Sequence, residues 1–195
     1  MIYWKMVTLG GLIAIGLISS AFAEDYSLYY FLNRTVSKSE PLSSKEKVEL
    51  LKRIERLLQQ AQEIHQQMVR DLKIGEIEIR YQEGEFWLSK LKEDEKSIEA
   101  GIGQIKLLKE KPNHLSSSVG LYKSLRDLSI NFNIYNNIPS FSAFVGDLAP
   151  ELGLWADPVF FQLYLLPLAR WRDIEKVGPQ IPQKEKGPVT KGKRP

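Results

Sequence analysis

No proline interrupts the chain between Ser43 and Lys111, and apolar residues recur through that stretch at spacings of three and four. That combination commits the segment to helix, because a 3.6-residue period places residues three and four apart on one face. Ser43 with Glu46 three residues on has the capping-box form, in which each side chain satisfies a backbone amide at a helix start. From Lys45 onward Leu51, Ile54, Leu58, Ala61, His65, Met68 and Leu72 form one stripe down a helix of about 28 residues. Leu50, Leu57 and Ile64 widen the stripe, which suits a bundle or hairpin better than a narrow two-stranded seam.

A second stripe follows: Ile77, Tyr81, Gly84, Leu88, Leu91, Ile98, Ile102 and Ile105, up to Pro112. It does not continue the first, whose extension past Leu72 meets Glu76 and Glu83. A reversal over Lys73 to Glu76, centred on Gly75, brings the two stripes face to face in an antiparallel helical hairpin about 40–50 Å long. Two other readings fit the same residues. Ile77, Ile79 and Tyr81 alternate with charges, and Gln82-Glu83-Gly84-Glu85 can turn into Phe86-Trp87-Leu88, giving a small β-hairpin near 76–88. The lack of proline also permits one long helix.

Lys111-Pro112-Asn113-His114 breaks the pattern. A third helix capped by Ser116 to Ser118 carries Val119, Tyr122, Leu125, Leu128, Phe132 and Tyr135 on one face, and Asn136-Asn137-Ile138-Pro139 stops it. A short helix is expected over Ser140 to Leu148. Asp157-Pro158 reads as the start of a last helix running toward Val177, with Pro167 as a kink. The expected fold is therefore all-α: a long antiparallel helical hairpin packed at one end against a smaller C-terminal helical cluster. Residues 45–177 form a single helical domain and 24–44 an aromatic segment followed by a linker ending at Pro41.

The two ends differ from the body. Lys5, the apolar run Met6 to Ser19, and Ala21-Phe22-Ala23 form a signal peptide over 1–23, with alanine where a signal peptidase needs small residues. From Gly178 the chain reads as a disordered basic tail, in which Lys184, Lys186, Lys191, Lys193 and Arg194 face one acid, Glu185. The whole chain is +3. The tail carries +4 of this and Lys5 one more charge, so the body between is about −2, which argues against a nucleic-acid surface on the fold. The absence of cysteine removes disulfides, thiolate metal sites, thiol nucleophiles and a cysteine-linked lipid anchor. Apolar packing, at 43% hydrophobic residues, has to hold an exported domain without staples, as in a periplasmic protein. Asn33-Arg34-Thr35 is a glycosylation sequon of a form common by chance.

No motif carries chemistry. His65 lies on the core stripe as a polar register position, with no second histidine on its helix. His114 neighbours Ser116, Ser117 and Ser118, but no G-x-S-x-G nucleophile turn occurs. The acids Glu76, Glu78, Glu83, Glu85 and Glu93-Asp94-Glu95 lie among lysines and read as solvated faces. Gly101-Ile102-Gly103 lacks the third glycine of a dinucleotide fingerprint and the lysine of a phosphate loop. No cofactor and no metal is expected.

Two surfaces remain. Val159 to Trp171 is apolar nearly all round and, at about 20 Å, too short to cross a bilayer core of ~30 Å. Phe160, Leu163, Tyr164 and Trp171 on it, with the five tail cations, form a candidate interaction surface. The expected function is a non-catalytic helical interaction or scaffold protein of the periplasm or cell envelope, with a protein partner. A peripheral protein on an anionic membrane or envelope polymer is the alternative, and a hydrolase whose site only folding reveals is a third. Export makes a direct prediction. Mass spectrometry of protein taken from its host should give a chain beginning at Glu24, whereas an intact Met1-to-Pro195 mass in the membrane fraction identifies an uncleaved anchor.

Overall fold

The structure, a computed structural model, describes residues 26–37, 40–77 and 81–176. The expected signal peptide over 1–23 and the expected tail over 178–195 lie outside the described residues. Among the described residues seven α-helices run in chain order: α1 (Leu28–Ser37), α2 (Ser44–Ile74), α3 (Tyr81–Glu110), α4 (Leu115–Asn136), α5 (Pro139–Val145), α6 (Leu148–Pro158) and α7 (Leu166–Lys176). A π-helical run, Val159–Leu165, joins α6 to α7. The chain is all-α, with no strand among the described residues, and α2, α3 and α4 pack antiparallel against the C-terminal helices.

The start of α2 is the capping box read from the sequence. The Ser43 hydroxyl accepts from the Glu46 amide at 3.3 Å, and the Glu46 carboxylate accepts from the Ser43 amide at 2.6 Å. Its end is Gly75, at φ 78° in the left-handed region that costs other residues a clash, and the amides of Gly75 and Glu76 both return to the Asp71 carbonyl. That reversal excludes the single long helix. The β-hairpin is excluded too, since residues 81–88 belong to α3. Their alternation is short, and the i, i+3, i+4 pattern running on to Ile105 outweighs it.

Both stripes are core. Leu51, Ile54, Leu58, Ala61, His65 and Met68 of α2 are buried, as are Leu91, Ile98 and Ile105 of α3. α4 is not part of an end cluster. It lies along α3 on one side and against α6 and the π-helical run on the other, so it is the central helix. Its buried face differs from the expected stripe: Val119 is exposed, while Ser117, Ser118 and Ser124 are buried with Leu121, Leu125, Leu128, Phe132 and Tyr135. Small hydroxyl residues let α4 approach α3 closely, and the expected cap at Ser116 to Ser118 shifts back to His114.

Gly101 explains the closeness. A β-carbon built there would lie 2.9 Å from Leu58 Cδ1 and 3.3 Å from Ser124 Cβ, so its missing side chain is where α2, α3 and α4 meet. Gly103, two residues on, faces open space.

The C-terminal third departs from the expected layout. Asp157-Pro158 starts no helix, because α6, the π-helical run and α7 form one continuous helical segment. Pro158 has no N–H to give the Leu154 carbonyl, and the helix widens directly after it; the Leu166 amide bonds the Phe161 carbonyl five residues back as α7 begins. The stretch Leu148–Arg172 is therefore long and apolar enough to cross a membrane by length and composition alone. One side of it is core, however: Leu152, Trp155, Ala156, Val159 and Leu163 are buried. At the N-terminal side, Phe31 of α1 meets Trp155 with ring centroids 6.0 Å apart, and α1 is tied to α2 by Arg34 and Tyr30, which both engage the Glu46 carboxylate.

The two glycines predict opposite outcomes. Gly103→Ala should raise stability by about 0.5–1 kcal/mol, since alanine loses less backbone entropy in a helix. Gly101→Val should lower it by about 1–3 kcal/mol through overpacking. Chemical denaturation of both variants checks this, and equal midpoints would refute the three-helix junction.

Candidate functional site

Polar groups cluster in two places, one inside the bundle and one on its surface. The inner cluster centres on Asp94, in the middle of α3 between Leu91 and Ile98 and fully buried. The solvated-face reading of Glu93-Asp94-Glu95 thus fails for its middle residue, because Asp94 occupies the stripe position that an apolar residue would otherwise fill. Its carboxylate is held from α4. Asn131 Nδ2 donates to Oδ1 at 2.6 Å and the Tyr135 hydroxyl donates to Oδ2 at 2.5 Å. Trp87 and Phe141 close over Tyr135 with ring centroids 5.8 and 5.6 Å away. From α2, His65 Nε2 donates to the Leu91 carbonyl at 2.6 Å, so the imidazole pins α2 to α3 one turn from Asp94. The expected register role of His65 has a specific partner here.

Burial raises the Asp94 pKa, and the hydrogen bonds from Tyr135 and Asn131 and the nearby His65 and Lys90 side chains only partly oppose it. Burial beside the Asp94 charge likewise pushes the Tyr135 phenol upward. Glu46 behaves in the opposite sense. Burial pushes it up, but the Ser43 hydroxyl and amide, the Tyr30 hydroxyl and Arg34 outweigh that and hold it below its usual range. Tyr30, half-buried on the same carboxylate, rises to about 12 through desolvation and its hydrogen bond to Glu46.

Both Asp94 oxygens are taken by bonds within the fold, and the residue is sealed from solvent. That is the chemistry of a clamp between helices. The second histidine differs again. His114 Nδ1 lies 2.6 Å from the Ser117 hydroxyl at the exposed start of α4, and the imidazole's side-chain partners among the described residues are Ser116 and Ser117. No group of three metal-ligating side chains occurs among the described residues.

The surface cluster lies on the C-terminal helical segment. Phe160 and Tyr164 are half-buried with tilted rings 5.6 Å apart, and Phe160 also lies 4.7 Å from the Tyr122 ring. Leu163 is buried and belongs to the core. Trp171 is 68% exposed, and Leu165 and Arg170 are exposed with it. Lys184, Lys186, Lys191, Lys193 and Arg194 lie outside the described residues. Beside Trp171 a groove of about 590 Å³ opens between the start of α2, the start of α4 and α7, lined among others by Lys47, Leu115, Pro167 and Arg170. Sequence reading missed this groove, since Pro41, Lys47 and Asn113 reach it only through the packing of distant segments. The Gln162 amide, in the π-helical run, is buried without a hydrogen-bond partner.

No protein-family model, no curated protein and no solved structure matches the chain.

The two acids make a pH prediction. The native state holds the Asp94 proton more tightly than the unfolded chain does. That contribution is fully present below the unfolded pKa and is lost as pH rises through the raised native value. Asp94→Asn keeps a hydrogen-bonding side chain between Asn131 and Tyr135 without the charge. Its melting temperature should rise relative to wild type as pH increases from strongly acidic to neutral. Glu46→Gln should behave oppositely, losing ground toward neutral pH, because stability from a depressed carboxylate is present above its unfolded pKa and lost on acidification. Parallel melts over that range check both signs.

Proposed function

We propose that the protein is an exported, non-catalytic helical scaffold of the cell envelope that presents the outward face of its C-terminal helix to a partner. One observation carries the reading. The end of the molecule around Trp171 leaves a large aromatic side chain in solvent beside a groove, although the core nearby has fully buried Leu163 and Val159. Two arrangements support it. His65, Asp94 and Tyr135 inside the bundle are hydrogen-bonded within the fold, which suits a rigid body, and the three long antiparallel helices give an extended surface. The signal-peptide pattern of Met1 to Ala23 supports the envelope location.

The experiment is site-specific photo-cross-linking in the host, with a photoreactive residue at Trp171 or Leu165 and, as control, at Ile130, which is exposed on α4 away from this face. Adducts from positions 171 and 165 and none from 130 are the expected outcome. Adducts from 130 alone, or from no position, refute the proposed face.

A further inference from the structure

The groove beside Trp171 has a composition that specifies its ligand. Two cations line it, Lys47 and Arg170, and no carboxylate does among the described residues. Lys47 is set in position by Asn113, whose Oδ1 accepts from its ammonium group at 2.8 Å. Leu115 and Pro167 supply apolar walls, and Trp171 forms an exposed rim. The helix that carries this rim has an apolar middle between charged ends. Glu151 and Asp157 are near the far end, and Arg170, Arg172 and Lys176 stand at the groove end with Asp173 and Glu175, three cations to two acids. Tryptophan and arginine bounding an apolar stripe is the distribution of a helix lying in a membrane interface, where the ring straddles the headgroup boundary and the guanidinium reaches phosphate. The sequence beyond the described residues is basic, with five cations against one acid from Gly178 onward. Crossing is a different matter, because the opposite side of the helix is built into the core through Leu152, Val159 and Leu163.

We infer that this end of the molecule seats on an anionic phospholipid surface, Lys47 and Arg170 taking a lipid phosphate at the mouth of the groove while Trp171 and Leu168 enter the interface beside it. The inference rests on the reading of the Trp171 face as the interaction surface and names what it touches. An acidic protein would satisfy the cations as well, but it does not call for an apolar stripe bounded by tryptophan and arginine.

The test uses the full chain carrying Trp4→Phe, so that Trp87, Trp155 and Trp171 report, with vesicles whose acyl chains are brominated to quench tryptophan on contact. The N-terminal apolar segment can bring the chain to any vesicle, so phosphatidylcholine mixed with phosphatidylglycerol is compared with phosphatidylcholine alone. Quenching should appear on the anionic vesicles, vanish in Trp171→Phe, and fall in Arg170→Glu to the level seen on neutral vesicles. Raising salt should weaken it. Circular dichroism on the variants verifies that they fold. Trp171 left unquenched on anionic vesicles, or quenched equally on neutral ones, overturns the inference. If position 171 still cross-links to a protein in that case, the interaction face stands and its partner is proteinaceous. If it cross-links to nothing, both readings fall.

Discussion

A carboxylate shut away from water must be hydrogen-bonded where it sits, and Asp94 imposes that condition on the three-helix body. Its two acceptor oxygens take one donor each from Asn131 and Tyr135, four residues apart on α4. Sliding α4 by one turn along α3 would strand the carboxylate and both donors together, at about 1–3 kcal/mol for each unsatisfied group. Apolar stripes tolerate slippage, because one leucine resembles the next; a buried acid with two matched donors does not. His65 adds the same constraint for α2, through the Leu91 carbonyl. Whether such a group adds net stability is a separate question, and the raised Asp94 pKa shows that its charged form is disfavoured where it lies.

Local signals made much of the fold legible. The capping box at Ser43 and the left-handed reversal at Gly75 are determined within a few residues, and both occur where the spacing places them. The two stripes were readable because periodicity reports which face is buried. Periodicity fails where the buried face is not apolar. Asp94, Ser117, Ser118 and Ser124 are all buried, and by residue type each of them reads as exposed. Their burial depends on a neighbouring helix, and no spacing rule contains that neighbour. Gly101 is the same case in reverse: two glycines in one helix look alike in sequence, and only the approach of Leu58 and Ser124 distinguishes the packed one from the free one.

The C-terminal helix departs from its local signals for a different reason. Proline after aspartate is a good helix start, and Pro158 does sit at a change in helical pitch. The tertiary contacts nevertheless carry the helix through it. α6 has already buried Leu152, Trp155 and Ala156 by that point, so stopping would expose Val159 and Leu163, at about 1.5–3 kcal/mol for each apolar side chain. A widened run costs less. Its side effect is to rotate the residues after Pro158 relative to a plain α-helix, which buries the Gln162 amide without a partner.

That rotation links the inside of the molecule to its surface. An α-helix continued from Leu152 and Trp155 would advance about 100° per residue, whereas a π-helical stretch takes more residues per turn, so a seven-residue run shifts the facing of everything that follows. α7 therefore leaves the body at an orientation set by Pro158. Pro167 lines the groove together with Arg170 and Trp171 from this reoriented helix, while Lys47 and Asn113 come from segments at the starts of α2 and α4. The surface at this end thus depends on the pitch change as much as on the residues displayed. An otherwise regular bundle retains a defect next to its central helix, and the same defect directs the exposed tryptophan to the edge of a cationic groove.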